Sequence, residues 1–222
     1  MIVAAVAALT CLQTAGVAVA GGRSHAPSAA TRQADKLARA ALFGAGDLRG
    51  WKSTPGPKKA PTLTCGAFAP DLTGIRILGS AASATFNQSS TGPFASQLVD
   101  VFKSPAQERS FWHRVVTRRL ETCVADSLTA GSTSSVTFTV DHKRLLSLPR
   151  IGERAAGYRV IGTAAASAPG QSETVYLDML VVGSGSGLSA ISFTSFFDPV
   201  PRSLELRLAR LVADRLPSGT AR

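Results

Sequence analysis

The chain has 222 residues, of which 45% are hydrophobic and 17% charged. That composition suits one folded domain with a sizeable core and excludes a disordered or low-complexity chain. Twenty-four Lys and Arg against 14 Asp and Glu give a net charge of +10, which favours anionic surfaces. The basic residues are scattered and never interleaved with aromatics, so no nucleic-acid partner is expected.

Residues 1–20 carry no charged side chain and end in Ala18-Val19-Ala20. Small residues at the −3 and −1 positions, here Ala18 and Ala20, predict a signal peptide cleaved after Ala20. A basic leading region is missing, the first charged side chain being Arg23. Two other readings stay open: retention of the apolar run as a membrane anchor, and lipidation of Cys11 in a poor lipobox. All three place the remainder outside the membrane, secreted or tethered to the cell envelope by its N-terminus. Cleavage would remove Cys11 and leave Cys65 and Cys123, an even count that predicts one disulfide.

Residues 21–33 are rich in Gly, Ser, Ala and Pro and read as a flexible linker. The folded domain is expected over 34–217, with a tail at 218–222. A first helix begins near Ala34, places Leu37, Ala41 and Leu42 on one face, and stops at Gly44. After Asp47-Leu48-Arg49-Gly50-Trp51 comes a Pro/Lys-rich loop over 55–61. Short strands follow at 75–78 and 84–86, then a buried strand at 97–103.

Ser104 as N-cap and Pro105 in the first turn open the longest helix, over 105–128. Trp112, Val116, Leu120 and Cys123 share one side of it; Arg114, Arg118 and Glu121 share the other. Cys123 then points inward, toward Cys65. A bridge between them would contribute about 4 kcal/mol on the chain-entropy model.

Beyond it, Val136, Phe138 and Val140 alternate with polar residues as a half-buried strand. A strand with Tyr158, Val160 and Ile161 follows. Strands at 173–182 and 188–197 flank the glycine-rich residues 183–187 and make a hairpin. Asp198-Pro199-Val200-Pro201 leads into a last helix with Leu204, Leu208, Leu211, Val212 and Leu216 along its apolar stripe. Strand runs segregated from helix runs predict an α+β single domain, an antiparallel β-sheet flanked by helices.

No motif carries catalysis. The 183–187 cluster lacks the Lys-Ser/Thr end of a phosphate loop, and its centre is Gly185 rather than a serine nucleophile. His25, His113 and His142 have no metal-ligand spacing, and both remaining cysteines are needed for the disulfide. Glu108 and Glu121 lie beside arginines and read as solvated ion pairs. Neither catalytic residues, nor a metal, nor a cofactor is expected. Asp178 stands alone in the apolar run Val175 to Leu180. It either occupies the exposed face of an edge strand or lines a cleft. Trp51, Trp112 and Tyr158 read first as core or core rim. Trp51 and Tyr158, with Asp178, are the candidate cleft residues.

These elements carry a set of short motifs in a fixed order. They are Asp47-Leu48-x-Gly50-Trp51, Cys65, Ser104-Pro105-Ala106, Cys123, Leu148-Pro149-x-Ile151-Gly152-Glu153, Tyr158-Arg159 and Asp214-Arg215-Leu216. That order resembles the extracellular sensor domains and related lipoproteins of actinobacteria, the PknH-like extracellular domain group. The resemblance covers about residues 34–217. It implies a sheet flanked by helices, a cleft for an unidentified ligand and a role in envelope sensing. The kinase-linked members have two disulfides where this chain can form one, and this chain has no kinase domain. The expected function is that of a non-catalytic, exported, sensor-like domain holding a lipid, glycan or other envelope-derived ligand. The alternatives are a structural or protein-interaction envelope protein with a basic surface, and a cryptic hydrolase of wall or lipid esters.

Overall fold

The computed structural model describes residues 28–56, 65, 68–167 and 171–218. The expected signal segment with Ala18 and Ala20, together with Cys11 and His25, lies outside the described residues. Among the described residues no helix is long and apolar enough to cross a membrane.

The fold is α+β, with four helices and an eight-stranded antiparallel sheet. The helices are α1 (Ala29–Ala40), α2 (Pro105–Val115), α3 (Arg118–Ala130) and α4 (Arg202–Arg215). The first four strands are β1 (Lys52–Thr54), β2 (Ile77–Ala82), β3 (Thr85–Asn87) and β4 (Phe94–Phe102). The last four are β5 (Val136–Leu146), β6 (Arg154–Ala166), β7 (Ser172–Ser184) and β8 (Gly187–Phe196). The sheet runs β1-β3-β4-β8-β7-β6-β5, and β2 pairs beside β3 along the same edge of β4. The β7–β8 hairpin turns tightly at Gly185-Ser186, where Gly185 takes φ +55°, a left-handed angle that glycine adopts without a Cβ clash.

Helices cover both faces of the sheet. On one face α2 and α3 bury Phe111, Leu120, Val124 and Leu128 against Phe102, Phe138, Val160 and Val181. On the other, α1 and α4 bury Ala34, Ala38, Leu208 and Val212 against Val99, Leu180, Ile191 and Phe193. Each large side chain so buried stabilises the fold by about 1.5–3 kcal/mol. Strand β7 is therefore apolar on both sides, Leu177, Met179 and Val181 facing one layer and Leu180 and Val182 the other. The expected disulfide is present: Cys65 and Cys123 are bonded, with their Cα atoms 5.5 Å apart. It is compatible with an extracytoplasmic location.

Three expectations are corrected. The first helix starts at Ala29, with Ser28 as its N-cap, so residues 28–33 belong to a capped helix rather than to a linker. It also ends at Ala40, before Gly44. The single long helix over 105–128 is two helices, broken at Val116 and Thr117. Three consecutive β-branched residues, Val115-Val116-Thr117, disfavour helix at that point, and Thr117 takes extended angles as the cap of α3.

Candidate functional site

Two opposite charges interrupt the apolar middle of adjacent strands, Arg159 in β6 and Asp178 in β7. The β6–β7 register places them directly opposite each other. Arg159 donates from Nε and Nη2 to the two Asp178 carboxylate oxygens at 2.6 Å each, a bidentate pair. The same Nη2 also donates to Glu205 Oε1 at 3.1 Å. Glu205, on the first turn of α4, accepts from Arg202 Nη1 on its other oxygen at 2.6 Å. Arg202 Nη2 donates in turn to the Ser147 carbonyl at 2.5 Å. Asp178 and Glu205 are fully buried and Arg159 nearly so. Burial, and a carboxyl–carboxyl hydrogen bond to Asp178, push the Glu205 acid upward, so its neutral form is favoured. The bidentate bond to the Asp178 carboxylate raises the Arg159 guanidinium further and keeps it protonated.

This network backs an open recess of about 500 Å³. Arg144, Arg159 and Arg202 line it together with apolar Leu146, Pro199 and Pro201, and no carboxylate is among the lining residues. Arg144 on β5 is paired in register with Arg159 on β6. Like charges directly opposite on a sheet face repel, and here the buried carboxylates offset only the inner one. The Arg144 side chain is exposed and makes no hydrogen bond or ion pair with the described residues. The recess therefore presents cationic donors beside an apolar wall.

A second, smaller recess of about 320 Å³ is lined by Phe68, Pro70, Arg114, Arg118 and Arg119, near the α2–α3 break. Arg114 is engaged there, donating to the carbonyls of Asp71 and Thr73 at 2.9 and 3.0 Å.

The expected cleft residues do not converge. Asp178 is neither on an edge strand nor exposed; it lies in central β7 behind Arg159 and does not itself line the recess. Tyr158 faces the opposite side of the sheet, among the α2–α3 layer. Its hydroxyl donates to the Thr117 carbonyl at 3.3 Å, which also accepts from the Leu120 N–H at the start of α3. Burial pushes its phenol up to about 12. Trp51 is half-buried at the margin of the α1–α4 layer, and Trp112 packs against the α2–α3 core with the Arg154 guanidinium 5.9 Å from its ring centroid.

Glu108 is not a solvated ion pair. It is fully buried and bonded to Arg154, with its Oε1 left without a partner, and burial raises its acid to about 7. Sequence reasoning missed Arg144, Arg159, Arg202 and Glu205 as site residues. Arg159 carried a readable signal, an arginine in the apolar middle of a strand, which has to find a buried counter-charge.

His113 and His142 are exposed on separate elements, α2 and β5, and among the described residues no three His, Cys, Asp or Glu gather as a metal site. No protein-family model and no curated protein matches the chain, so its functional reading rests on the chemistry of the recess.

Proposed function

We propose that this protein is a non-catalytic, exported binding domain of the cell envelope, and that it holds an anionic envelope-derived ligand in the Arg144–Arg159–Arg202 recess. The observation that carries this reading is the in-register arginine pair. Arg144 stands opposite Arg159 on one sheet face, and no described residue neutralises it. A domain gains nothing in stability from facing arginines, whereas a bound anion converts their repulsion into two charge-assisted contacts. The disulfide and the apolar, uncharged start of the sequence support export. The helix-flanked sheet suits the sensor-like architecture that the motif order implies.

The test is native mass spectrometry of the protein purified from an oxidising compartment with its envelope extract. The wild type is expected to carry an extra mass that is lost on denaturation. Arg144→Glu, which reverses the charge of an exposed side chain, is expected to abolish it without changing the circular dichroism. A second reading, a basic surface that contacts anionic polymer without selectivity, draws on the Arg118–Arg119 recess. It predicts binding that weakens steeply with salt and ignores Arg144→Glu.

A further inference from the structure

We infer that the ligand of the recess is an amphiphile, one anionic head group joined to an apolar chain; the inference rests on the binding reading above. The lining divides into two halves. Arg144, Arg159 and Arg202 supply the cationic half, and Leu146, Pro199 and Pro201 the apolar one. Arg159 is held by Asp178 and Glu205, and Arg202 by Glu205 and the Ser147 carbonyl, so both guanidinium groups are fixed in place before any ligand arrives. Arg144 is the lining cation without such a tie among the described residues and is the group that closes on the head. Pro199 and Pro201 precede α4 and are exposed, rigid apolar surface that a free inorganic anion does not need. At about 500 Å³ the recess exceeds what a lone phosphate fills. It is also open, so a chain can extend past the prolines.

The experiment compares three probes by titration calorimetry on the whole protein: dihexanoyl-phosphatidylglycerol below its micellar concentration, dihexanoyl-phosphatidylcholine, and inorganic phosphate. The anionic lipid is expected to bind at least about tenfold tighter than either of the other two. Arg144→Ala is expected to weaken lipid and phosphate alike by about tenfold or more. Pro199→Ser, a change outside every helix and strand, is expected to weaken the lipid and leave phosphate unchanged. Equal affinity for phosphate and anionic lipid overturns the amphiphile in favour of a simple anion. Equal affinity for the two lipids overturns the anionic head. If no probe binds while the native mass is still lost in Arg144→Glu, the amphiphile class falls and the recess reading stands. If the native mass also persists in Arg144→Glu, both fall.

Discussion

Arg159 is the residue on which the interior charge balance turns. It is 8% exposed and shared between two fully buried carboxyl groups. Removing one partner of such a network leaves an uncompensated buried charge, at a cost of about 3–5 kcal/mol, whereas replacing the set by apolar groups is often neutral. Arg159→Leu is therefore expected to lower stability by that amount in urea unfolding. Arg159→Leu combined with Asp178→Leu is expected to recover most of it; a double variant no better than the single one contradicts the pairing. Of the two charges, Asp178 was legible in the sequence as an intruder in an apolar run and Arg159 only as a member of the Tyr158-Arg159 motif. Their pairing was not, because it depends on the β6–β7 register, which the whole sheet sets. Glu205 and Arg202 were less legible still. They open a helix where exposed charges are ordinary, and only the packing of α4 on the sheet turns Glu205 inward.

Elements were legible where periodicity carried them and misread where local chemistry interrupted it. The β7–β8 hairpin and the α4 stripe follow directly from alternation and 3.6-residue spacing. The helix break at Val116–Thr117 sits inside a pattern that continues on both sides, so spacing alone passes over it. The motifs behind the family resemblance turn out to be joints between elements. Asp47 and Arg215, from motifs near opposite ends of the domain, form a bidentate pair at 2.8 Å that ties the loop after α1 to the end of α4. That guanidinium holds the Asp47 carboxyl below its ordinary range. The seat of α1 depends on a missing side chain. A Cβ at Gly79 of β2 would lie 2.4 Å from the Ala34 carbonyl carbon and the Asp35 nitrogen, both helix backbone. Ala34, Ala38 and Ala41 are all fully buried, so the helix rests on small residues and cannot absorb the shift. Gly79→Ala is expected to lift α1 and cost about 1–3 kcal/mol, read as a lower urea midpoint with faster amide exchange in α1 than in α3. Uniform exchange in both helices contradicts this account.

At the scale of the whole molecule, stability is expected to have an unusual pH dependence, because Asp100, Glu108 and Glu205 hold their protons more tightly when buried in the fold. Burial raises Asp100 to about 6, against a single bond from the Ser80 hydroxyl at 2.5 Å. It raises Glu108 to about 7 despite Arg154, and it moves Glu205 upward as well. Between the ordinary carboxyl value near 4 and these raised values the folded state binds protons that the unfolded state has released. Stability is then fully present below the unfolded values and is lost as pH rises through about 6 and 7. Asp47 works in the opposite sense: its lowered value contributes stability above the ordinary range, which is lost as the solution becomes strongly acid. The two trends leave a maximum near the ordinary carboxyl value of about 4, with a fall on the order of a few kcal/mol by pH 8. The Cys65–Cys123 bridge, which spans 58 positions, adds about 4 kcal/mol at either pH, so reduction lowers the whole profile without changing its slope. Urea midpoints measured at pH 5 and pH 8, with and without reductant, test both statements. Glu108→Gln is expected to shrink the difference between the two pH values, since an amide carries no titrating proton into the core. A midpoint that rises from pH 5 to pH 8 in the wild type means that the buried acids are ionised in the folded protein.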